Sequence, residues 1–188
     1  MYKIKSERQR TLRQRRTIIS QRRVYAKQIH PRVGGRVVGG HNGSAQTKIS
    51  GTVECSKPDE QHALEVGDRP NHSLMVAKGK CTWTKPLEIA GTKSKDDIGT
   101  GFGDITGNKS QEHGYVVNTW ANGDKSYVRT QGSATLKDGT IESADGTWSF
   151  TGGTGKLKDI KGKGTYKGKG ESGGTVTYEV EGEYELPK

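Results

Sequence analysis

Two cysteines are the residues of this chain whose chemistry is easiest to anticipate. Cys55 and Cys81 are its only cysteines, 26 positions apart. Alternation of apolar and polar residues puts each on the apolar face of a predicted strand, so the two can meet across neighbouring strands. Bonded, they would stabilise the fold by about 3 kcal/mol through the loop they close. We predict a disulfide, which favours an exported or periplasmic protein; two buried free thiols are the alternative.

Histidines and acids offer a second, weaker candidate site. His62 and His72 lie in a predicted connection, Ser56–Asn71, that also holds Asp59, Glu60, Glu65 and Asp68. These residues can form a loop site, although solvated loop residues are the favoured interpretation. The histidines lack the spacing of metal ligands, and no Ser-His-Asp or nucleophile-elbow pattern occurs. The sequence therefore predicts no metal, no cofactor and no catalytic residue.

Glycine-rich segments resemble phosphate-binding loops only superficially. Gly152–Lys156 reads GGTGK, but Phe150 occupies the first glycine position of a Walker loop and Leu157 follows the lysine. We therefore predict a structural turn at Gly152, Gly153 and Gly155. The segment 99–103, GTGFG, lacks the third glycine of a dinucleotide fingerprint and is predicted to be a glycine-bearing strand.

Aromatic residues are the remaining candidates for ligand binding, because small-ligand barrels line their cavities with such side chains. From the aromatic set we predict Tyr115, Trp120, Tyr127 and Trp148, together with Arg129, as ligand-binding residues. If Arg129 faces inward at a barrel mouth, it would anchor an anion or a carbonyl group of a ligand. If Tyr127 and Arg129 face outward, they would be solvated, and the outward orientation is favoured. The full aromatic set is Trp83, Phe102, Tyr115, Trp120, Tyr127, Trp148, Phe150, Tyr166, Tyr178 and Tyr184.

The net charge of +10 over 188 residues is concentrated in the N-terminal quarter of the chain. Residues 1–46 hold 12 Lys and Arg but one acid, whereas residues 47–188 carry a net charge of −1. We predict that 1–46 is a basic, flexible tail. Three interpretations of this tail are open: a nucleic-acid-binding arm, an organellar targeting segment, and a non-essential extension or misplaced start. The third interpretation is favoured. No signal-peptide stretch and no membrane-spanning run is visible.

Residues 47–188 alternate polar and apolar side chains between closely spaced turn signals. In Thr177–Leu186 one face presents Tyr178, Val180 and Tyr184, and the other is a row of glutamates. Asn122-Gly123 and Asp138-Gly139 favour hairpins. About eight antiparallel strands and inward-facing glycines predict one all-β domain, a closed barrel.

A family resemblance supports this architecture. Phe150–Tyr166, FTGGTGKLKDIKGKGTY, resembles the allene oxide cyclase and dirigent barrels at Gly152, Gly153, Gly155, Leu157, Ile160, Gly162 and Gly164. The chain is also similar to small uncharacterised bacterial exported proteins. The resemblance implies an eight-stranded barrel with an apolar cavity, often trimeric, and it carries over no catalytic residue.

Three functional hypotheses follow from these observations. The favoured one is a small barrel that binds an apolar small molecule without catalysing a reaction, as a possible homo-oligomer. An isomerase or cyclase of the allene oxide cyclase or dirigent type is the alternative. Binding of nucleic acid or of an anionic surface through residues 1–46 is the third.

Overall fold

A computed structural model of the chain describes residues 46–187, so the predictions made for residues 1–45 lie outside the described residues. Two short 3₁₀ turns, Gly155–Leu157 and Ser172–Gly174, are the helical elements of this range. The remaining elements are ten β-strands: β1 Thr47–Cys55, β2 Glu60–Glu65, β3 His72–Lys85, β4 Glu88–Ile89, β5 Thr92–Thr106, β6 Lys109–Trp120, β7 Lys125–Lys137, β8 Thr140–Gly153, β9 Lys161–Gly170 and β10 Val176–Glu185. Within residues 46–187, no helix is long and apolar enough to span a membrane.

Eight of these strands form a closed antiparallel barrel, which confirms the predicted fold class. Around the barrel the order is β1-β10-β9-β8-β7-β6-β5-β3, and β3 returns to β1. The closing ladder between β3 and β1 has four residue pairs, the fewest in the barrel, and it contains a register shift between Thr52 and Val53. Closure thus depends on the shortest ladder of the barrel.

The disulfide lies at this closing ladder. Cys55 and Cys81 face each other as the last pair between β1 and β3, and their sulfurs are bonded, as predicted. Ser56 continues the contact, because its backbone N–H donates to the carbonyl oxygen of Lys80 at 3.3 Å. The covalent link therefore reinforces the seam where the ladder is shortest.

Two short strands, β2 and β4, add to the predicted pattern. The sequence indicates a short strand or a helical turn at Ala63–Val66, which overlaps β2, whereas nothing in it indicates β4. β2 lies within the predicted connection Ser56–Asn71. It pairs with the first half of β3, on the same edge of β3 as β1. β4 forms a hairpin with the start of β5, so β5 begins at Thr92 instead of near residue 98. β2 is exposed throughout, which explains its weak alternation signal.

Aromatic rings fill much of the barrel by lying on glycines of adjacent strands. A Cβ atom at Gly164 would stand 2.7 Å from Cε2 of Trp148, and one at Gly182 would stand 2.5 Å from its Cζ2, closer than real contacts allow. In the same way, a Cβ at Gly168 would meet the ring of Tyr178 at 2.5 Å. These three inward glycines of β9 and β10 are therefore required by the close approaches of the rings.

The GGTGK segment forms the connection from β8 to β9. Gly152 and Gly153 end β8, and Gly155 adopts a φ of 53°, a left-handed conformation that favours glycine. The carboxylate of Asp124 accepts a hydrogen bond from the backbone N–H of Lys156 at 3.0 Å. This turn directs Leu157 into the core, where it is fully buried.

Gly164→Ala is predicted to destabilise the fold by about 3 kcal/mol, because the added methyl must displace both Trp148 and the adjacent strand. Gly101→Ala is the matched control, since its Cβ would have one neighbour within 4 Å, the carbonyl oxygen of His113 at 3.6 Å. Chemical denaturation of the two variants measures the difference. Equal losses in both would show that glycine–aromatic contact does not limit stability.

Candidate functional site

The barrel interior contains a cavity of about 230 Å³ bounded mainly by the aromatic and aliphatic side chains of the inner face. Such a volume suits a small organic molecule and not a polymer. The lining residues are Val53, Cys55, Cys81, Trp83, Leu87, Asp97, Gly99, Glu112, Val116, Asn118, Val128, Thr130, Trp148, Phe150, Tyr166, Tyr178 and Val180. Two carboxyl groups in an otherwise largely apolar wall are its distinctive feature.

Asp97 is the more deeply buried of these carboxyl groups, at 5% exposure. It lies on β5 and accepts a hydrogen bond from Nε1 of Trp83 at 2.9 Å. Burial raises its pKa to about 6, while the hydrogen bonds from Trp83 and Asn118 oppose that rise. Asp97 is therefore mostly ionised at neutral pH and exchanges its proton in the range where a general base works.

A chain of hydrogen bonds fixes the groups behind Asp97. Nε1 of Trp120 donates to Oγ of Ser126 at 3.0 Å, and that hydroxyl donates to Oδ1 of Asn118 at 3.1 Å. Because Oδ1 of Asn118 is already an acceptor, its amide N–H₂ is the group that faces Asp97 across the β5–β6 pair. The carboxylate thus has two fixed donors and retains lone pairs for a ligand.

Glu112 is the second carboxyl group, on the inner face of β6. Burial raises its pKa above the usual range. Burial raises the pKa of Tyr166 to about 12, and the charges of Glu112 and Asp145 add to this rise. Burial likewise raises the pKa of Tyr178. Both phenols therefore remain neutral hydrogen-bond donors at physiological pH, next to a carboxyl group that holds its proton more strongly than a solvated one.

The predicted ligand-binding residues separate into three positions. Trp148 lines the cavity, and Trp120 lies behind it as part of the hydrogen-bond chain to Asp97. Tyr115, Tyr127 and Arg129 face outward, because they alternate with Val116, Val128 and Thr130, which face the interior. None of the three lines this interior cavity. Tyr115 lines a second cavity of about 230 Å³, and Arg129 lines, together with Trp148, another cavity of about 930 Å³. Ligand binding by the three outward residues stays a prediction.

The outward aromatic residues belong to an apolar strip on the outer face of β3, β5, β6 and β7. Tyr115 is 64% exposed and Val76 49%. Phe102 lies between Val76 and His113 in the sheet register. Exposed apolar surface of this kind is typical of contacts between protein chains. The predicted homo-oligomer itself stays a prediction.

The histidine site considered from the sequence does not form as a single cluster. His72 is buried at the start of β3, with Nδ1 bound to Asp68 and Nε2 to Asp104 at 3.0 Å. The bond to Asp68 is the main reason why the pKa of His72 is raised. His62 instead is exposed on β2. In the described range no group of three or more His, Cys, Asp or Glu is placed to hold a metal ion.

Sequence reasoning missed Asp97, Asn118 and Glu112. Asp97 stands just before the strand that was expected near residues 98–106, and it shares a face with Gly99 and Gly101 instead of with apolar residues. The available signal was the repeated glycine at every second position of this strand, which marks the inner face here as it does in β9.

No family model and no curated protein matches this chain. Several solved structures are similar to it in fold, and two of them are as follows. A pyocyanin demethylase is 17% identical, covers 71% of this chain and 98% of its own, and has a TM-score of 0.40. A pterocarpan synthase dirigent protein is 11% identical, covers 77% of this chain and 87% of its own, and has a TM-score of 0.41. Neither similarity assigns a ligand or a reaction to this chain.

Asp97→Asn is predicted to stabilise the protein in a pH-dependent way. The folded-state pKa of about 6 exceeds the ordinary value of 3.8, so the folded protein is more stable when this carboxyl group is protonated. The full contribution is present below about pH 4 and is lost as the pH rises through 6. The variant should therefore gain about 3 kcal/mol near pH 7.5 and little near pH 4. Denaturant titrations at both pH values measure this gain.

Asp145→Asn provides the control for that substitution, because Asp145 is exposed on the outer face of β8. We expect its effect to stay within about 0.5 kcal/mol at both pH values. If Asp97→Asn were no more stabilising near pH 7.5 than near pH 4, ionisation of the buried carboxyl group would not lower the free energy of unfolding.

Proposed function

We propose that the barrel binds a small, largely apolar molecule in the interior cavity and that Asp97 recognises a cationic or hydrogen-bond-donating group on it. The single observation that supports this most is the ionisable carboxyl group at 5% exposure inside an apolar cavity. Burial of an ionised carboxyl group reduces stability, and perturbed carboxyl groups in cavities are typical of functional sites.

The polarity of the ligand follows from the donors and acceptors that face the cavity. Trp83 already donates to Asp97, and the ionised carboxylate is an acceptor only. Within the described residues that line the cavity, no Lys or Arg is present to neutralise it. A ligand ammonium or N–H group placed there would form a charge-assisted hydrogen bond in a poorly solvated site.

Cyclohexylmethylamine is predicted to bind near pH 7.5 with an affinity that depends on Asp97. Asp97→Asn should weaken the binding by about tenfold or more, as should lowering the pH to about 5, because both remove the negative charge. The neutral cyclohexylmethanol should bind almost equally to both proteins. Isothermal titration calorimetry on the full chain measures these affinities.

Asp145→Asn, which removes a carboxylate from the outer surface, is the matched control and should leave the affinity for the amine unchanged. An amine affinity that is insensitive to Asp97→Asn and to pH would show that the amine binds elsewhere. Absence of binding by both cyclohexyl compounds would contradict a ligand-accepting cavity of this polarity.

An isomerase or cyclase is the second candidate function, and one specific observation favours it. Two carboxyl groups with raised pKa values, Asp97 and Glu112, line the same cavity, together with the neutral hydroxyl of Tyr166. A base of pKa about 6 can remove a proton next to a carbonyl group, while a neutral phenol stabilises the resulting oxyanion. The proton can then return at another carbon, which is an isomerisation.

Exchange of the α-hydrogens of 2-tetralone with deuterium oxide tests this candidate. If Asp97 acts as a base, the protein should accelerate exchange by about a hundredfold over Asp97→Asn, which cannot accept the proton. Mass spectrometry measures deuterium incorporation, and Asp145→Asn is again the control. Exchange at the rate of buffer alone would leave binding as the function and would contradict proton transfer in this cavity.

A further inference from the structure

The inward glycines of the barrel differ in what lies over them. At six of them, on β1, β8, β9 and β10, an aromatic side-chain atom stands within 3.0 Å of the position a Cβ would take: Gly51, Gly146, Gly162, Gly164, Gly168 and Gly182. On β5, a Cβ at Gly103 would meet Oγ of Ser110 at 2.9 Å, but Gly99 and Gly101 are open. Within residues 46–187, no atom lies within 4 Å of a Cβ placed at Gly99, and the carbonyl oxygen of His113, at 3.6 Å, is the one neighbour of a Cβ at Gly101.

The fold itself does not require glycine at these two positions. Neither residue has a positive φ, and neither approaches another strand closely enough to exclude a side chain. A glycine inside a strand weakens it, because it packs no side chain and loses more conformational entropy on folding. Gly99 and Gly101 therefore reduce stability while they keep a flat backbone surface open.

This surface is the floor of a second cavity of about 230 Å³, which continues the first. The two share Gly99, Glu112 and Tyr166 in their linings, so one molecule can reach both. Pro58 forms the wall beside Gly79, with its Cα 3.3 Å from a Cβ placed there. The disulfide at Cys55 lies three residues before Pro58 and holds this connection to β3.

We propose that the Gly99–Gly101 floor binds a planar aromatic ring of the ligand, lying flat on β5 with a hydroxyl or amine substituent directed to Glu112. This proposal rests on the proposed function and specifies the ligand class. It follows the packing that the chain uses elsewhere in the barrel, where aromatic rings occupy the space that a glycine leaves without a Cβ. Glu112 supplies the hydrogen-bonding group at the edge of the floor.

A comparison of 2-naphthol with its saturated counterpart decahydro-2-naphthol tests the requirement for a flat ring. The two have the same carbon and oxygen skeleton, but the saturated rings are too thick to lie close to the backbone. We expect the full-length protein to bind 2-naphthol about tenfold more tightly or better, as measured by calorimetry.

Gly99→Val is the decisive variant, because its side chain would occupy the floor without meeting a protein atom at Cβ. It should retain the wild-type melting temperature or exceed it, since valine favours strands, and it should reduce the preference for 2-naphthol to about twofold or less. Thr82→Val, on the outward face of β3 and outside the lining of either cavity, is the matched control and should keep the preference. Gly99→Ala, with a smaller side chain, replaces Gly99→Val if that variant unfolds.

Several outcomes would overturn the proposal, and they differ from failure of the proposed function. Equal affinities for the two naphthols, or a preference that survives Gly99→Val, would show that no ring lies on this floor, while binding of cyclohexylmethylamine through Asp97 would still stand. If the amine fails to bind but the naphthol preference depends on Gly99, the planar site holds and recognition by Asp97 is wrong.

Discussion

Packing of aromatic rings on glycines of adjacent strands is the constraint on which the rest of this barrel depends. Trp148 can lie on β9 and β10 because Gly164 and Gly182 have no Cβ, and its Nε1 then donates to the carbonyl oxygen of Glu181 at 3.1 Å. The edge-on contact of Trp148 with Phe150, with ring centroids 5.1 Å apart, completes this side. Aromatic rings thus fill the side of the interior formed by β8, β9 and β10, and the remaining space becomes the cavity.

We call the part of the barrel formed by β8, β9 and β10, where rings cover the glycines, the filled side, and the part around Gly99 and Gly101 of β5 the open side. The sequence predicts the filled side better than the open side. In β10, Tyr178 and Val180 alternate with glutamates, so the inner face can be identified from hydrophobicity alone, and the same alternation placed Cys55 opposite Cys81. In β5 the rule is inverted: Ile98 and Phe102 face outward, and Gly99 lies inside. Only closure of the barrel, a property of all eight strands together, decides which face of such a strand is inward.

The same inversion explains why the candidate site could not be predicted from residue types. An aspartate beside glycines is typical of an exposed turn, and nothing local indicates that Asp97 meets the indole of Trp83, which comes from another strand. Trp120 was selected for its aromatic ring, yet its contribution is the N–H group that starts the hydrogen-bond chain through Ser126. Both roles arise from cross-strand register, which a single sequence does not contain.

Stability and binding make opposite demands on the open side. An uncharged residue at position 97 and larger side chains at 99 and 101 would remove a buried charge and fill space, as the aromatic rings do on the other side. The chain instead combines an ionisable carboxyl group, uncovered glycines and the shortest closing ladder within one part of the barrel, and a disulfide reinforces that ladder. These features reduce stability where a cavity is kept open, and the covalent bond compensates close to that position. A barrel whose interior served only to hold the fold together would gain from filling this space, and this loss of stability is the physical argument for the proposed ligand.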